Sequence, residues 1–154
     1  MEGMNDSDHS KVSRASRVID APAFAIFELI ADPAQQPAWD GSDNLGHADD
    51  GQRVRAAGDV FVMTNAGGNV RENHVVEFAE GYLIAWTPSE VGSPPPGHLW
   101  RWELEPLDEH RTRVTHTYDW TNLTDEKRLP RARATTPEKL MASLDRLAAF
   151  AQRG

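Results

Sequence analysis

The sequence predicts an α+β protein in which a curved antiparallel sheet is covered on its concave face by one long C-terminal helix. Two stretches in the second half alternate faces in step. Residues 98–105 put His98, Trp100, Trp102 and Leu104 on one side and Leu99, Arg101, Glu103 and Glu105 on the other. Residues 113–120 likewise set Val114, His116, Tyr118 and Trp120 against Arg113, Thr115, Thr117 and Asp119, which face solvent. At the end of the chain Leu140, Met141, Leu144, Leu147, Ala148 and Ala151 recur at helical spacing over about four turns.

The elements follow in order. Residues 13–20 alternate weakly and read as a first strand. Pro22 suits the first position of a helix whose apolar face is Phe24, Phe27, Leu29 and Ile30, and Asp32-Pro33 stops it. A short helix or turn follows over 33–39. Residues 40–58, rich in Gly, Asp and Asn, read as a loop holding one short strand, and 59–65 as the next strand. Ala66-Gly67-Gly68-Asn69 is a hairpin turn because glycine accepts the positive backbone angles of tight hairpins, and residues 70–79 form the returning strand. Glu80-Gly81 turns the chain into a strand over 82–87. Residues 88–97 hold four prolines and two glycines and read as an irregular loop. The two aromatic strands meet through Asp108-Glu109-His110. Residues 121–130 are polar, and their Lys-Arg pair reads as part of a solvated loop. Thr136 then caps a helix with Pro137 at its first position.

Composition narrows the function. A length of 154 residues with 39% hydrophobic content suits one domain with a real core, predicted over 13–153 behind a polar, frayed tail of residues 1–12. A formal charge of -8 with scattered basic residues argues against nucleic acid and anionic membranes as partners. There is no cysteine, which removes disulfides, thiolate nucleophiles and thiolate zinc sites. Without an apolar leader or a long apolar span, the expectation is a cytoplasmic protein, monomer or homodimer, with no membrane insertion. No nucleophile elbow, phosphate-binding glycine loop, His-Glu-x-x-His or dinucleotide fingerprint occurs.

Several phrases together resemble a known family. They are Ser16-Arg17-Val18-Ile19-Asp20-Ala21-Pro22, Phe27 with Ala31-Asp32-Pro33 and Trp39, Val75-Val76-Glu77-Phe78 with Ala85-Trp86, and Trp100-Arg101-Trp102-Glu103-Leu104. In order and spacing over residues 13–152 the chain resembles the START-like (SRPBCC) superfamily, in its polyketide cyclase/dehydrase and lipid-transport branch. The resemblance implies a helix-grip fold of about seven strands around a long C-terminal helix, matching the layout read from pattern. It also implies a cavity for a lipophilic molecule. It implies no reaction, because this branch shares no catalytic set.

The aromatic faces read as the wall of that cavity, apolar with polar points. The expected ligand is a hydrophobic, aromatic or polycyclic small molecule, lipid- or polyketide-like. Its expected contacts are Trp39, Met63, His74, Trp86, His98, Trp100, Trp102, His116, Tyr118 and Trp120, with Met141 and Leu144 from the terminal helix. If Val76 and Phe78 point inward, so do Glu72 and His74, and Glu72, His74, His98, His116 and Tyr118 become candidates for proton transfer to an enolisable ketone. A shift of one residue would instead turn Arg71 and Asn73 inward, with Arg71 able to hold a carboxylate. Three strand histidines raise a zinc site, but no local spacing supports one, and no metal or cofactor is expected. Three functions therefore stand: ligand binding, cyclase or dehydratase chemistry, and a co-chaperone-like or antitoxin-like interaction module, the last marked by a filled cavity and a large exposed apolar patch.

Overall fold

The alternating segments assemble into one sheet. The computed structural model describes residues 11–40 and 45–153. Its elements are β1 (Val12–Ile19), α1 (Ala23–Ala31), a 3₁₀ turn (Pro33–Gln35) and the single turn α2 (Gln36–Trp39), followed by β2 (Leu45–His47), β3 (Val60–Asn65), β4 (Val70–Ala79), β5 (Leu83–Glu90), β6 (Leu99–Asp108), β7 (Arg111–Asp119), α3 (Leu129–Ala134) and α4 (Pro137–Arg153). The seven strands form a curved sheet in the order β1-β7-β6-β5-β4-β3-β2, with every pair antiparallel. Residues 1–10, most of the expected tail, and 41–44 in the Gly/Asp-rich loop lie outside the described residues. Val12 is already paired, opposite Asp119.

Helix α4 runs along β1 and β7. It starts where expected, with the Thr136 hydroxyl accepting from the Lys139 amide at 3.4 Å. Leu140, Leu144, Leu147 and Ala148 share one buried core with Ile19, Ile26, Phe27, Ile30 and Val114. At the other end of the sheet Arg53, its side chain 17% exposed, ties the 48–58 loop to Glu28 of α1 and to Glu80 of the β4–β5 turn at 2.9 and 2.7 Å. The two carboxylates hold its guanidinium pKa well above the ordinary arginine value.

Five features depart from expectation. Pro22 is the residue before α1, not its first helical residue. Phe24 is 76% exposed, because the buried stripe of Ile26, Phe27, Ile30 and Ala31 is centred about a quarter turn away from it. β5 continues through Pro88 to Glu90. β4 pairs that stretch on one side, with Pro88 opposite Asn73, whereas β6 stops pairing at Trp86, so a missing N–H on the free side breaks no ladder. Thr117 is fully buried on the outer face, where Arg14 Nε donates to its hydroxyl at 3.3 Å. Finally, Arg128 leads into α3 instead of ending a solvated loop, and Pro130 sits at the start of that helix, where its lost N–H is harmless.

Gly97, which feeds the chain into β6, has φ +125°, and a Cβ there would run into the Asn122 carbonyl. Gly67 has open space and no positive φ. Gly97→Ala should therefore lower unfolding free energy by about 1–3 kcal/mol in urea titrations, and Gly67→Ala should move it by less than about 0.5 kcal/mol. Equal effects would contradict the conformational argument.

Candidate functional site

Where α4 leaves the core at its N-terminal end, a cavity of about 620 Å³ opens between the concave face and the α3–α4 segment. Its wall is built by the β6–β7 register, which pairs Trp100 with Tyr118 and Trp102 with His116. The Trp102 and His116 rings stack at 3.6 Å between centroids and 14° between planes, and Trp100 lies over His116 at 5.6 Å and against Tyr118 at 4.4 Å. Trp39 of α2 meets Trp102 edge-on at 5.4 Å and donates its indole N–H to the Leu29 carbonyl at 2.9 Å. Phe61 meets Trp86 edge-on at 5.2 Å. The Trp102–His116 pair is thus stacked face to face, with edge-on and tilted ring contacts around it.

The polar points on the wall are neutral. His116 lies within hydrogen-bond distance of the Arg101 carbonyl, Nδ1 to O 3.1 Å. A carbonyl only accepts, so the proton is on Nδ1 and Nε2 is left as an acceptor. Burial pushes the His116 pKa down to about 3. His98 is pushed down to about 4, first by burial and then by the positive charges of Arg128 and Arg71. Burial raises Tyr118 to about 12, against the opposing pull of Arg131 and Arg128. His98 Nδ1 and Trp102 Nε1, both on lining residues, are buried without a hydrogen-bond partner among the described residues.

Of the residues expected at the cavity, Trp39, Met63, Trp86, His98, Trp100, Trp102, His116 and Tyr118 line it. Glu72 and His74 do not. Their side chains are on the outer face, where His74 Nε2 is 2.9 Å from the Ser89 hydroxyl and Glu72 accepts from the Gly92 amide at 3.3 Å. The cause is a bulge in β4 between Val75 and Glu77, which reverses the alternation. Phe78 packs inward on Phe27 at 5.7 Å, yet Val75, Asn73 and Arg71 also point inward, and Val76 is 48% exposed. Trp120 is buried beneath Lys11, whose ammonium sits 6.0 Å from its ring, and is not a lining residue. Leu144 is fully buried core and Met141 packs against that core.

Arg71 and Asn73 line it too, as the alternative parity of β4 has them, and Arg128, Arg131, Lys139 and Ser143 also line the cavity without having been anticipated. A signal existed for some of them. Arg128 and Arg131 are three apart around Pro130, and Lys139 and Ser143 are four apart beside the Leu140–Leu144 stripe, so each pair shares a helix face. Among the described residues no group of three His, Asp or Glu side chains is close enough to hold a metal, and no helix is long and apolar enough to cross a membrane.

Comparison with known proteins agrees with this architecture. The family model for polyketide cyclase / dehydrase and lipid transport matches residues 11–152, and the chain belongs to that family. An uncharacterized Mycobacterium tuberculosis protein, Rv0088, is 33% identical over 117 residues, which are 75% of this chain and 50% of that protein. The chain spans about half the length of the curated relatives it matches. Among solved structures, protein MLL2253 of Mesorhizobium loti superposes with a TM-score of 0.67 at 16% identity over 92% of this chain and 97% of that one. The Zhui aromatase/cyclase of Streptomyces sp. R1128 superposes with a TM-score of 0.66 at 18% identity over 92% and 93%. At these identities the likeness is one of fold. Together the family and the cavity support a ligand-binding or cyclase role.

The depressed histidine pKa values set a pH dependence. Folded protein keeps His98 and His116 neutral down to about 4 and about 3, whereas the unfolded chain takes up those protons near 6.5. More protons are then bound by the unfolded state, so stability is fully present above pH 6.5 and is lost as pH falls through the interval below it. Urea unfolding between pH 7 and pH 4 should show this loss, and His116→Gln should flatten it. An unchanged slope in the variant would contradict the buried neutral imidazole.

Proposed function

We propose that this member of the polyketide cyclase / dehydrase and lipid transport family binds an aromatic or polycyclic hydrophobic molecule in the cavity between sheet and α4, as a binder and not a catalyst. The observation that carries this is the aromatic wall of Trp100, Trp102, His116 and Tyr118 on a cavity of about 620 Å³, a size and lining suited to a drug-sized ring system. Neutral polar points on that wall orient a ligand at little desolvation cost. They are ill suited to proton transfer near pH 7, because a general base works best with a pKa close to the operating pH, and His116 and His98 lie near 3 and 4. An open cavity also speaks against the interaction-module reading, which requires it to be filled.

Cyclase chemistry is the second reading. It is favoured by a protonated Tyr118 hydroxyl on the wall, in the electrostatic reach of Arg128 and Arg131, an arrangement able to stabilise a developing enolate, and by the aromatase/cyclase named among the fold relatives.

Titration with a flat polycyclic probe should quench the intrinsic fluorescence of the five tryptophans and raise the melting temperature. Trp100→Ala should weaken binding about tenfold, and His116→Gln by an amount worth about 0.5–1.5 kcal/mol. His74→Gln and Glu72→Gln should leave affinity unchanged. With polyketide-like ketones the parent protein should form no product. Cyclised or dehydrated product abolished by His116→Gln with binding retained would establish the enzyme reading instead.

A further inference from the structure

The charge of the cavity runs against the charge of the molecule. The chain carries a formal -8, yet among the described residues the charged ones lining the cavity are Arg71, Arg128, Arg131 and Lys139 with Asp40. Arg128 is already engaged, with Glu90 at 3.1 Å and Asp125 at 3.3 Å. Glu90 is the cross-strand neighbour of Arg71, so its capture by Arg128 removes the carboxylate best placed to neutralise Arg71. Arg71 bonds its own chain, at the Val70 carbonyl 3.3 Å away, and neither it, Arg131 nor Lys139 has a carboxylate partner among the described residues. Elsewhere Arg17, Arg53, Arg101, Arg111 and Arg113 are each held by an acid, whereas Arg14 of β1 and Arg55 of the 48–58 loop have no carboxylate partner among the described residues.

A second, independent observation lies deeper. Trp102 lines the cavity and is 3% exposed, and its buried indole N–H has no acceptor among the described residues. That group can only donate, so a ligand that completes it brings an oxygen acceptor. An unsatisfied donor on the wall selects for a hydrogen-bond acceptor, and the cations without carboxylate partners select for negative charge.

We infer that the cavity's ligand is an amphipathic organic acid, its flat apolar body on the Trp100–Trp102 wall and its carboxylate held by Arg71, Arg131 and Lys139. This rests on the binding reading above and narrows its ligand class. The fields of these cations reach the interior, since Arg71 and Arg128 act on His98 and Arg131 acts on Tyr118. Guanidinium groups suit the task because their planar donors meet a carboxylate two at a time.

The test uses one aromatic skeleton with and without the charge, 1-pyrenebutyrate and 1-pyrenebutanol, titrated calorimetrically into the protein. The acid should bind at least about tenfold more tightly than the alcohol. Its advantage should shrink as salt rises from about 0.05 to about 0.5 M. In the double variant Arg71→Gln, Arg131→Gln the ratio of the two affinities should fall towards one, and Lys139→Gln should lower it in part. Circular dichroism checks that the variants fold, and the salt series on the parent protein tests the idea without any variant. Equal binding of acid and alcohol overturns the anion inference and leaves the cavity reading standing. That outcome includes the case in which the cations serve an acidic protein partner. Binding of neither compound overturns the cavity reading and the inference with it.

Discussion

Pairing of Trp102 with His116 across β6 and β7 puts two flat rings 3.6 Å apart on the concave face, and the site is organised around that contact. Stacking holds the imidazole in one plane, and the Arg101 carbonyl accepts the hydrogen bond of its Nδ1–H. With tautomer and orientation set, burial keeps the ring uncharged, since an isolated buried charge would be costly. Trp39, Trp100 and Tyr118 then pack around this pair. The wall therefore packs largely on itself, and Leu140 and Ser143 of α4 border the cavity on its other side.

The concave face is divided along α4. Leu144, Leu147 and Ala148 close one part against Ile19 and Val114, while Lys139 and Ser143, nearer the helix start, border the cavity with α3. Polarity changes along the same direction, from buried neutral groups at the wall to exposed cations of α3 and α4. The close-packed core and the cavity are thus separated in space. The Arg53 bridge to Glu28 and Glu80 belongs to the core side, tying the long loop to α1 and to the β4–β5 turn without entering the site.

Much of the site was legible because strand periodicity is strict where pairing is regular. β6 and β7 pair without interruption from Leu99–Asp119 to Pro106–Thr112, so alternation alone put His98, Trp100, Trp102, His116 and Tyr118 on one face. β4 carries the same kind of pattern, but its bulge between Val75 and Glu77 reverses the parity. Phe78 was correctly turned inward, and extending its parity back along the strand misplaced His74 and Glu72. A bulge leaves no reliable mark in a short run, and the strict alternation of Val75-Val76-Glu77-Phe78 favours the Val76-Phe78 face that the bulge breaks up. The tryptophans show a related limit. Trp120 follows the alternation of β7 and is buried, but lies beyond the last residue of the strand, where it packs under Lys11 instead of facing the cavity.

Local patterns by themselves determined the α+β class, the long terminal helix, the antiparallel strand order implied by short turns, and the aromatic face of β6 and β7, because each depends on residues near in sequence and on periods of two or 3.6. Tertiary structure alone decided which of those faces border open space and which are core, how the β4 bulge sets Arg71 and Asn73 inward, and that cations scattered along the chain at 71, 128, 131 and 139 meet at one cavity. Those outcomes depend on where distant segments come to rest against one another, and a charge 57 positions from its neighbour carries no sign in the sequence that the fold will make them adjacent.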